Sequence, residues 1–170
     1  MKSYKLYVLL AGLALTWASC SKGGGENSPN VPDPPIVKPD EPKEPTYPTY
    51  DAPRWSVSSY RTYECSMTAI LTLPDTLAEY QQQNDELALF INDECRGVAE
   101  RIEVSSGNYV WMAMIMGNTS ENKTQKLYIR YWSCTNKHMY EADTNPMFES
   151  DTRLGEVDAP YKLWLKIREK

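Results

Sequence analysis

The sequence predicts an all-β domain, folded as a two-sheet antiparallel β-sandwich over residues 54–170. Three observations predict this fold. Short runs of strand-forming residues recur between turn residues, one segment alternates apolar and polar residues over eleven positions, and the one segment that could be helical, Thr76–Gln83, is short and polar. A chain of this size with about seven to nine short strands closes its core most simply between two sheets.

The N-terminal strands carry the clearest patterns. From Tyr63 to Leu73 apolar residues alternate with polar ones, apart from Ile70, which predicts a strand with one buried face. Glu86–Ile91 is a short apolar run between two Asn-Asp pairs and predicts a second strand followed by a turn. Cys95–Ala99 continues as the third strand, and Ile102 and Val104 extend it.

The remaining strands follow from shorter patterns. Tyr109–Met116 is apolar on both faces, so we expect a central strand that is covered on both sides. Strands are also predicted at Leu127–Trp132, at His138–Glu141, at Met147-Phe148 and at Tyr161–Ile167. Immunoglobulin-like and jelly-roll-like arrangements both fit this order of elements.

The N-terminus has the pattern of an export signal. Lys2 and Lys5 precede an apolar run over residues 6–17, and small residues lead to Cys20. The run is too short to span a bilayer. We therefore assign residues 1–19 to a signal peptide.

Trp17-Ala18-Ser19-Cys20 resembles a bacterial lipobox, and the glycines at 23–25 resemble the tether of a Bacteroidetes lipoprotein. The resemblance implies lipid attachment at Cys20 and a membrane as partner. It places the protein in the cell envelope, as an outer-membrane lipoprotein on either the surface or the periplasmic face. Several acyl chains on one cysteine anchor a protein without any membrane-spanning helix.

Residues 20–53 read as a lipidated, proline-rich stalk. Nine of the 12 prolines lie between Pro29 and Pro53, and proline excludes both helix and central strand. A polyproline-like spacer over residues 21–53 could reach roughly 100 Å. The alternative is a proline-rich ligand for a groove-binding partner.

The composition argues against nucleic-acid binding. The chain has 18 Lys and Arg against 23 Asp and Glu, a formal net charge of -5, whereas binding to phosphates needs a basic surface.

The most distinctive motif surrounds the second and third strands. It comprises Asp85, Glu86, Phe90, Glu94, Cys95, Arg96 and Gly97. Together with Ser66-Met67-Thr68 upstream, it resembles a β-rich domain common in secreted and surface proteins of Bacteroidetes. That resemblance implies a β-rich fold, and the family has no established catalytic role. From the residues alone, Gly97 is expected at a bulge or a close backbone approach, and Glu94 is expected to pair with Arg96. The acids Asp85, Glu86, Asp93 and Glu94 are expected to be solvated strand ends.

Candidate catalytic groups are few, and we predict that the protein is not an enzyme. His138 is the only histidine, and no G-x-S-x-G turn surrounds a serine. Cys65, Cys95 and Cys134 permit one disulfide and one free thiol, with no pairing preferred. Their spacing lacks a C-x-x-C pair, so neither a metal nor a cofactor is expected.

The aromatic residues are the strongest positive signal for binding. Flat rings stack on sugars and anchor protein contacts. Trp132 and Tyr140 flank a turn, and we expect them to form an exposed platform. The sequence therefore predicts a lipid-anchored, non-catalytic module that binds a polysaccharide or a surface protein. The alternatives are a docking or structural component of an envelope assembly, or a small hydrolase.

Overall fold

The computed structural model describes residues 46–169. The predicted signal peptide, Cys20 and the stalk before residue 46 lie outside the described residues. The described residues belong to one compact unit of the chain. Within the described part, no helix is both long enough and apolar enough to cross a membrane.

Residues 46–169 form ten strands in two five-stranded sheets, and the expected all-β sandwich is confirmed. The strands are β1 (Cys65–Thr72), β2 (Glu86–Ile91), β3 (Glu94–Val98), β4 (Glu100–Ser105), β5 (Asn108–Gly117), β6 (Tyr128–Trp132), β7 (Met139–Ala142), β8 (Arg153–Leu154), β9 (Tyr161–Lys162) and β10 (Leu165–Ile167). One short helix, α1, covers Asp75–Ala78, and 3₁₀ turns cover Tyr60–Thr62 and Thr119–Glu121.

Sheet A has the order β4-β5-β1-β8, and β9 also pairs with β1. The β1–β5 ladder is antiparallel and runs from Cys65 opposite Gly117 to Leu71 opposite Trp111. The short strands β8 and β9 both pair with β1 in parallel. The sequence analysis missed both parallel pairings, because two-residue strands leave no periodic pattern.

Sheet B has the order β10-β7-β6-β2-β3. The predicted turn between β2 and β3 is confirmed: Asn92 and Asp93 both have positive φ, 51° and 63°. Such backbone angles match the twist of a tight hairpin, and Asn and Asp tolerate them better than most residues.

Two predicted strands are each divided between the sheets. The third strand bends at Ala99, whose N–H still bonds to Leu87 O in sheet B at 2.8 Å, whereas Glu100 pairs with Met112 in sheet A. The last predicted strand divides in the same way, with β9 in sheet A and β10 in sheet B. Leu163 lies between them and is 1% exposed. These crossings close the two ends of the sandwich.

The core lies between the sheets and is densely filled. Its largest fully buried side chains include Trp111, Tyr131 and Phe148. A Cβ added at Gly97 would lie 2.7 Å from Met114 O, which confirms the expected close backbone approach. A Cβ at Gly117 would collide with the ring of Phe148. Both positions therefore require glycine because another part of the core already occupies the space.

Residues 46–58, here called the strap, lie across the outer face of sheet B. Tyr50 N donates to Lys137 O at 2.8 Å, and Trp132 Nε1 donates to Tyr50 O at 3.0 Å. Trp55 meets Phe90 edge to face, with 5.5 Å between ring centroids. Residues 46–53, which the sequence analysis assigned to the stalk, thus include contacts with the sandwich.

Candidate functional site

The expected exposed platform of Trp132 and Tyr140 is wrong. Each side chain is 7% exposed. The strap covers Trp132, and Tyr140 packs on Tyr131 with 5.8 Å between ring centroids. The sequence pattern correctly placed Trp132 on the outer face of its strand, but it carried no sign that the strap would cover that face.

The exposed aromatic side chains lie elsewhere on the described surface. Those with the largest exposed fractions are Trp164 at 62%, Tyr80 at 61%, Tyr60 at 58%, Tyr47 at 46% and Tyr128 at 45%. Two of these residues line cavities, Tyr60 on sheet A and Tyr128 on sheet B. The cavities, and not the residue type, therefore distinguish the exposed aromatic residues from one another.

The methionine face is the open end of the outer surface of sheet A, formed by Met112, Met114 and Met116 with Tyr60 and Val98. Along β5 these methionines alternate with core residues. Met112 is 40% exposed and Met114 is 56% exposed. The expectation that β5 is covered on both sides is therefore wrong over this stretch.

Cover on this side of sheet A is uneven. Val110 is 4% exposed, and Ile70, which pairs directly with Met112, is 3% exposed, so the covered part of this surface ends beside Met112. The uncovered part holds a cavity of about 350 Å³, lined by Tyr60, Thr68, Val98, Glu100, Met112, Ala113 and Met114. The concavity, its methionines and its aromatic edge form the most apolar open surface among these features.

The motif residues Glu94 and Arg96 lie in an ion cluster beside this face, in which Arg96 is buried and Glu94 is exposed. Arg96 is 5% exposed, and its guanidinium donates twice to Glu121, at 3.0 and 2.8 Å. The expected pairing with Glu94 is confirmed at 3.2 Å. Tyr63 stacks under the guanidinium, 4.5 Å from ring centroid to Cζ. The cluster joins β3 to the 3₁₀ turn after β5, and the sequence pattern missed Glu121 because it is distant along the chain.

Contacts within this cluster shift the pKa values of Arg96 and Glu94. Burial opposes the positive charge of Arg96, but the Glu121 carboxylate, together with Glu94 and Tyr63, outweighs burial and raises the pKa of Arg96. The Tyr63 hydroxyl donates to Glu94 and lowers the pKa of that carboxyl, with a smaller contribution from Arg96. Arg96 and Glu94 therefore keep their charges at neutral pH. The ion pairs tie β3 to the turn after β5 at this end of sheet A.

Asp85 is a buried structural acid, so the expectation that it lies solvated at a strand end is wrong. It is 6% exposed and accepts hydrogen bonds from Tyr131 Oη, from Cys134 N at 2.9 Å and from Gln82 N at 2.7 Å. Burial and the Asp85 carboxylate raise the pKa of Tyr131, so the phenol remains a donor. One carboxylate thus ties three segments together.

The other motif residues support the strap and the hairpin. Glu86 accepts from Trp55 N at 3.2 Å. The Arg130 guanidinium lies over the Phe90 ring at 4.5 Å. The motif as a whole therefore maintains packing and charge pairing in the fold.

Among residues 46–169, burial disfavours the charged form of the three thiols, and the His138 imidazole contacts the strap. Cys65, Cys95 and Cys134 are free thiols, and burial raises the pKa of each, which disfavours the reactive thiolate. His138 Nδ1 lies 2.9 Å from Pro48 O under the strap. In residues 46–169 no group of three or more His, Cys, Asp or Glu side chains is arranged to hold a metal ion.

No protein-family model, curated protein or solved structure matches the chain. Function must therefore be argued from the surfaces of the molecule. The methionine face is the surface whose composition is least expected of a sheet in contact with water.

Proposed function

We propose that this protein is a lipid-anchored, non-catalytic module of the cell envelope that binds a protein partner through the methionine face. Acylated Cys20 would hold the chain to the outer membrane, and the proline-rich segment would space the sandwich from the lipid. This proposal narrows the expected glycan or protein ligand to a protein at this surface.

The observation that carries the proposal is the exposure of Met112 and Met114 on an ordered strand. Apolar surface in contact with water is unfavourable by about 25 cal/mol per Å², and contiguous apolar patches on soluble domains mark interaction sites. Methionine is flexible and polarisable, so it suits a surface that must fit an irregular partner.

The surroundings of the face favour a protein over a lipid surface. Glu100 is the charged residue among the described cavity-lining groups, and the chain has a formal net charge of -5. A negatively charged membrane attracts basic residues and repels acidic ones. A protein partner can supply apolar side chains to the cavity and a donor to Glu100.

Site-directed photo-crosslinking tests the proposal. A photoreactive residue at position 114 in living cells should capture one recurrent protein, and the same residue at Tyr80, equally exposed on another surface, should not. Met114→Lys should abolish co-purification of that protein with the full chain. Equal capture at both positions, or no loss with Met114→Lys, would contradict the proposal.

The identity of the captured protein also distinguishes a binding module from a docking or structural component of an envelope assembly. A docking or structural component would use the same face, and it would be captured together with several members of one stable envelope complex. A single partner recovered in stoichiometric amount would instead indicate a dedicated binding module.

A further inference from the structure

A separate cavity of about 210 Å³ lies on the outer side of sheet B. Its lining includes Tyr128 and Arg130 of β6, Glu141 of β7 and Lys166 of β10, with Asp143 and Asn145 from the chain after β7. It shares no lining residue with the methionine-face cavity. A ligand there would be independent of the proposed protein partner.

One exposed aromatic ring lines this cavity, and a second belongs to a residue whose backbone bonds to the lining. Tyr128 is 45% exposed and lines it directly. Leu163 and Leu165 pack on the core, so Trp164 between them points outward and is 62% exposed. Its carbonyl accepts from Asp143 N at 2.8 Å, which places the Trp164 backbone next to a lining residue. Flat rings open to water at the edge of a polar cavity can stack on the apolar face of a sugar ring.

The charges of the lining cancel. Arg130 Nε pairs with Glu141 at 3.3 Å, and Lys166 Nζ pairs with Asp143 at 3.0 Å. Two cations therefore face two carboxylates, and each carboxylate keeps lone pairs that can accept from a ligand hydroxyl. A balanced lining favours an uncharged ligand over a phosphate or an acidic sugar, because an ionic ligand would meet charges of both signs.

Asn145 supplies the second polar signal. Its Oδ1 is buried and has no hydrogen-bond partner, and Asn145 lines the cavity. Buried polar atoms are almost always paired, and an unpaired acceptor costs free energy until a donor reaches it. A small turn of the amide would present it to a hydroxyl in the cavity.

We propose that this cavity binds a neutral saccharide. One pyranose ring stacks on Tyr128, its hydroxyls donate to Glu141, Asp143 and Asn145, and a longer chain continues toward Trp164. The ligand class follows from the aromatic border, the cancelled charges and the unpaired amide oxygen. The site is independent of the proposed protein interface, so either proposal can fail without the other.

The test is calorimetric titration of the detergent-solubilised full chain with neutral hexaoses of the cello, malto, xylo and manno series. Oligogalacturonate serves as the anionic comparison. At least one neutral hexaose should bind, and oligogalacturonate should not. Tyr128→Ala should weaken that binding about tenfold, or ~1.4 kcal/mol, whereas Tyr80→Ala, a matched exposed tyrosine, should leave it unchanged.

Two further variants sharpen the result. Trp164→Ala should weaken binding of the hexaose more than binding of the disaccharide of the same series. Asn145→Ala should weaken binding without lowering the thermal midpoint of the free protein, because it removes an unpaired atom. Folded protein that binds none of the neutral sugars, or that binds them equally after Tyr128→Ala, would overturn the proposal.

Discussion

The outer face of sheet B is covered by the strap, whereas part of the outer face of sheet A is exposed. On sheet B the strap covers Trp132 and Phe90, which are 7% and 3% exposed. On sheet A, Met114 occupies a comparable outward position on a long strand and is 56% exposed. All three side chains point away from the core between the sheets, and only the presence or absence of a covering segment separates them.

Apolar residues on the outer face of a sheet therefore predict that another segment or molecule covers that face. They do not identify the segment or molecule that covers it. On sheet B the covering segment is the strap, which belongs to the same chain. Part of the strap lies in the proline-rich segment that the sequence predicts to be a stalk. On sheet A, among the described residues, no segment covers the open methionines. The difference is the reason for placing the proposed partner on sheet A.

The largest expected effect contrasts the two faces directly. Trp132→Ala should destabilise the protein by about 3–5 kcal/mol, because it removes a buried ring and the bond to Tyr50 O. Met114→Ala should change the free energy of unfolding by less than about 0.5 kcal/mol. Chemical denaturation of both variants checks this, and similar losses would mean that the two faces are equally covered.

A smaller effect is expected when the strap is weakened. Trp55→Ala removes the edge-to-face contact with Phe90 and should cost about 1–2 kcal/mol. Trp164→Ala is the matched control, since that ring is exposed, and it should cost under about 0.5 kcal/mol. The denaturant midpoints of the two variants measure this difference, provided that the dependence of the unfolding free energy on denaturant concentration is the same in both. A strap without energetic importance would show no difference between these two tryptophans.

Methionine oxidation sharpens the comparison further. Met139 pairs with Trp132 on the covered face and is 6% exposed, whereas Met112 is 40% exposed. Peroxide followed by mass spectrometry should find Met112 and Met114 oxidised well before Met139. Trp55→Ala should speed oxidation of Met139 alone, and simultaneous oxidation of all three would deny the difference between the faces.

The smallest effect concerns Glu94 at the edge of the methionine face. Because its pKa is lowered in the folded protein, its contribution to stability is present above the unfolded pKa and is lost as pH falls through the folded pKa. Tyr63→Phe removes the main hydrogen bond and should raise the pKa of Glu94 toward its ordinary value. Carboxyl chemical shifts followed from neutral to acid pH measure this, and an unchanged titration would assign the shift to Arg96.

Strands were predictable where one face is buried and the chain stays in one sheet. Glu86–Ile91 was predicted with its observed bounds, and β5 was predicted one residue too short at each end. The changes of sheet at Ala99 and Leu163 were not predictable, because a residue buried at a crossing has the same apolar character as one buried within a strand.

The candidate site was less accessible to sequence reasoning. Tyr128 and Trp164 could have been selected as outward residues by alternation, as Trp132 was. What separates them from Trp132 is the path of the strap, which depends on contacts such as Trp55 on Phe90. The partnership of Arg96 with Glu121 likewise spans a long stretch of chain, and a local pattern detects only Glu94.

The strap also gives the molecule a mechanical property. Tension applied to the chain at residue 46 reaches the hydrogen bonds of Tyr50 and the Trp55 contact before it reaches β1, the first strand of the sandwich. These are separate contacts rather than a strand ladder like that between β1 and β5, so they would yield first and lengthen the chain while both sheets stay paired. In a domain held at its N-terminal end, release of the strap would then absorb tension before the sheets unfold. It would also expose Trp132 and Phe90 to solvent.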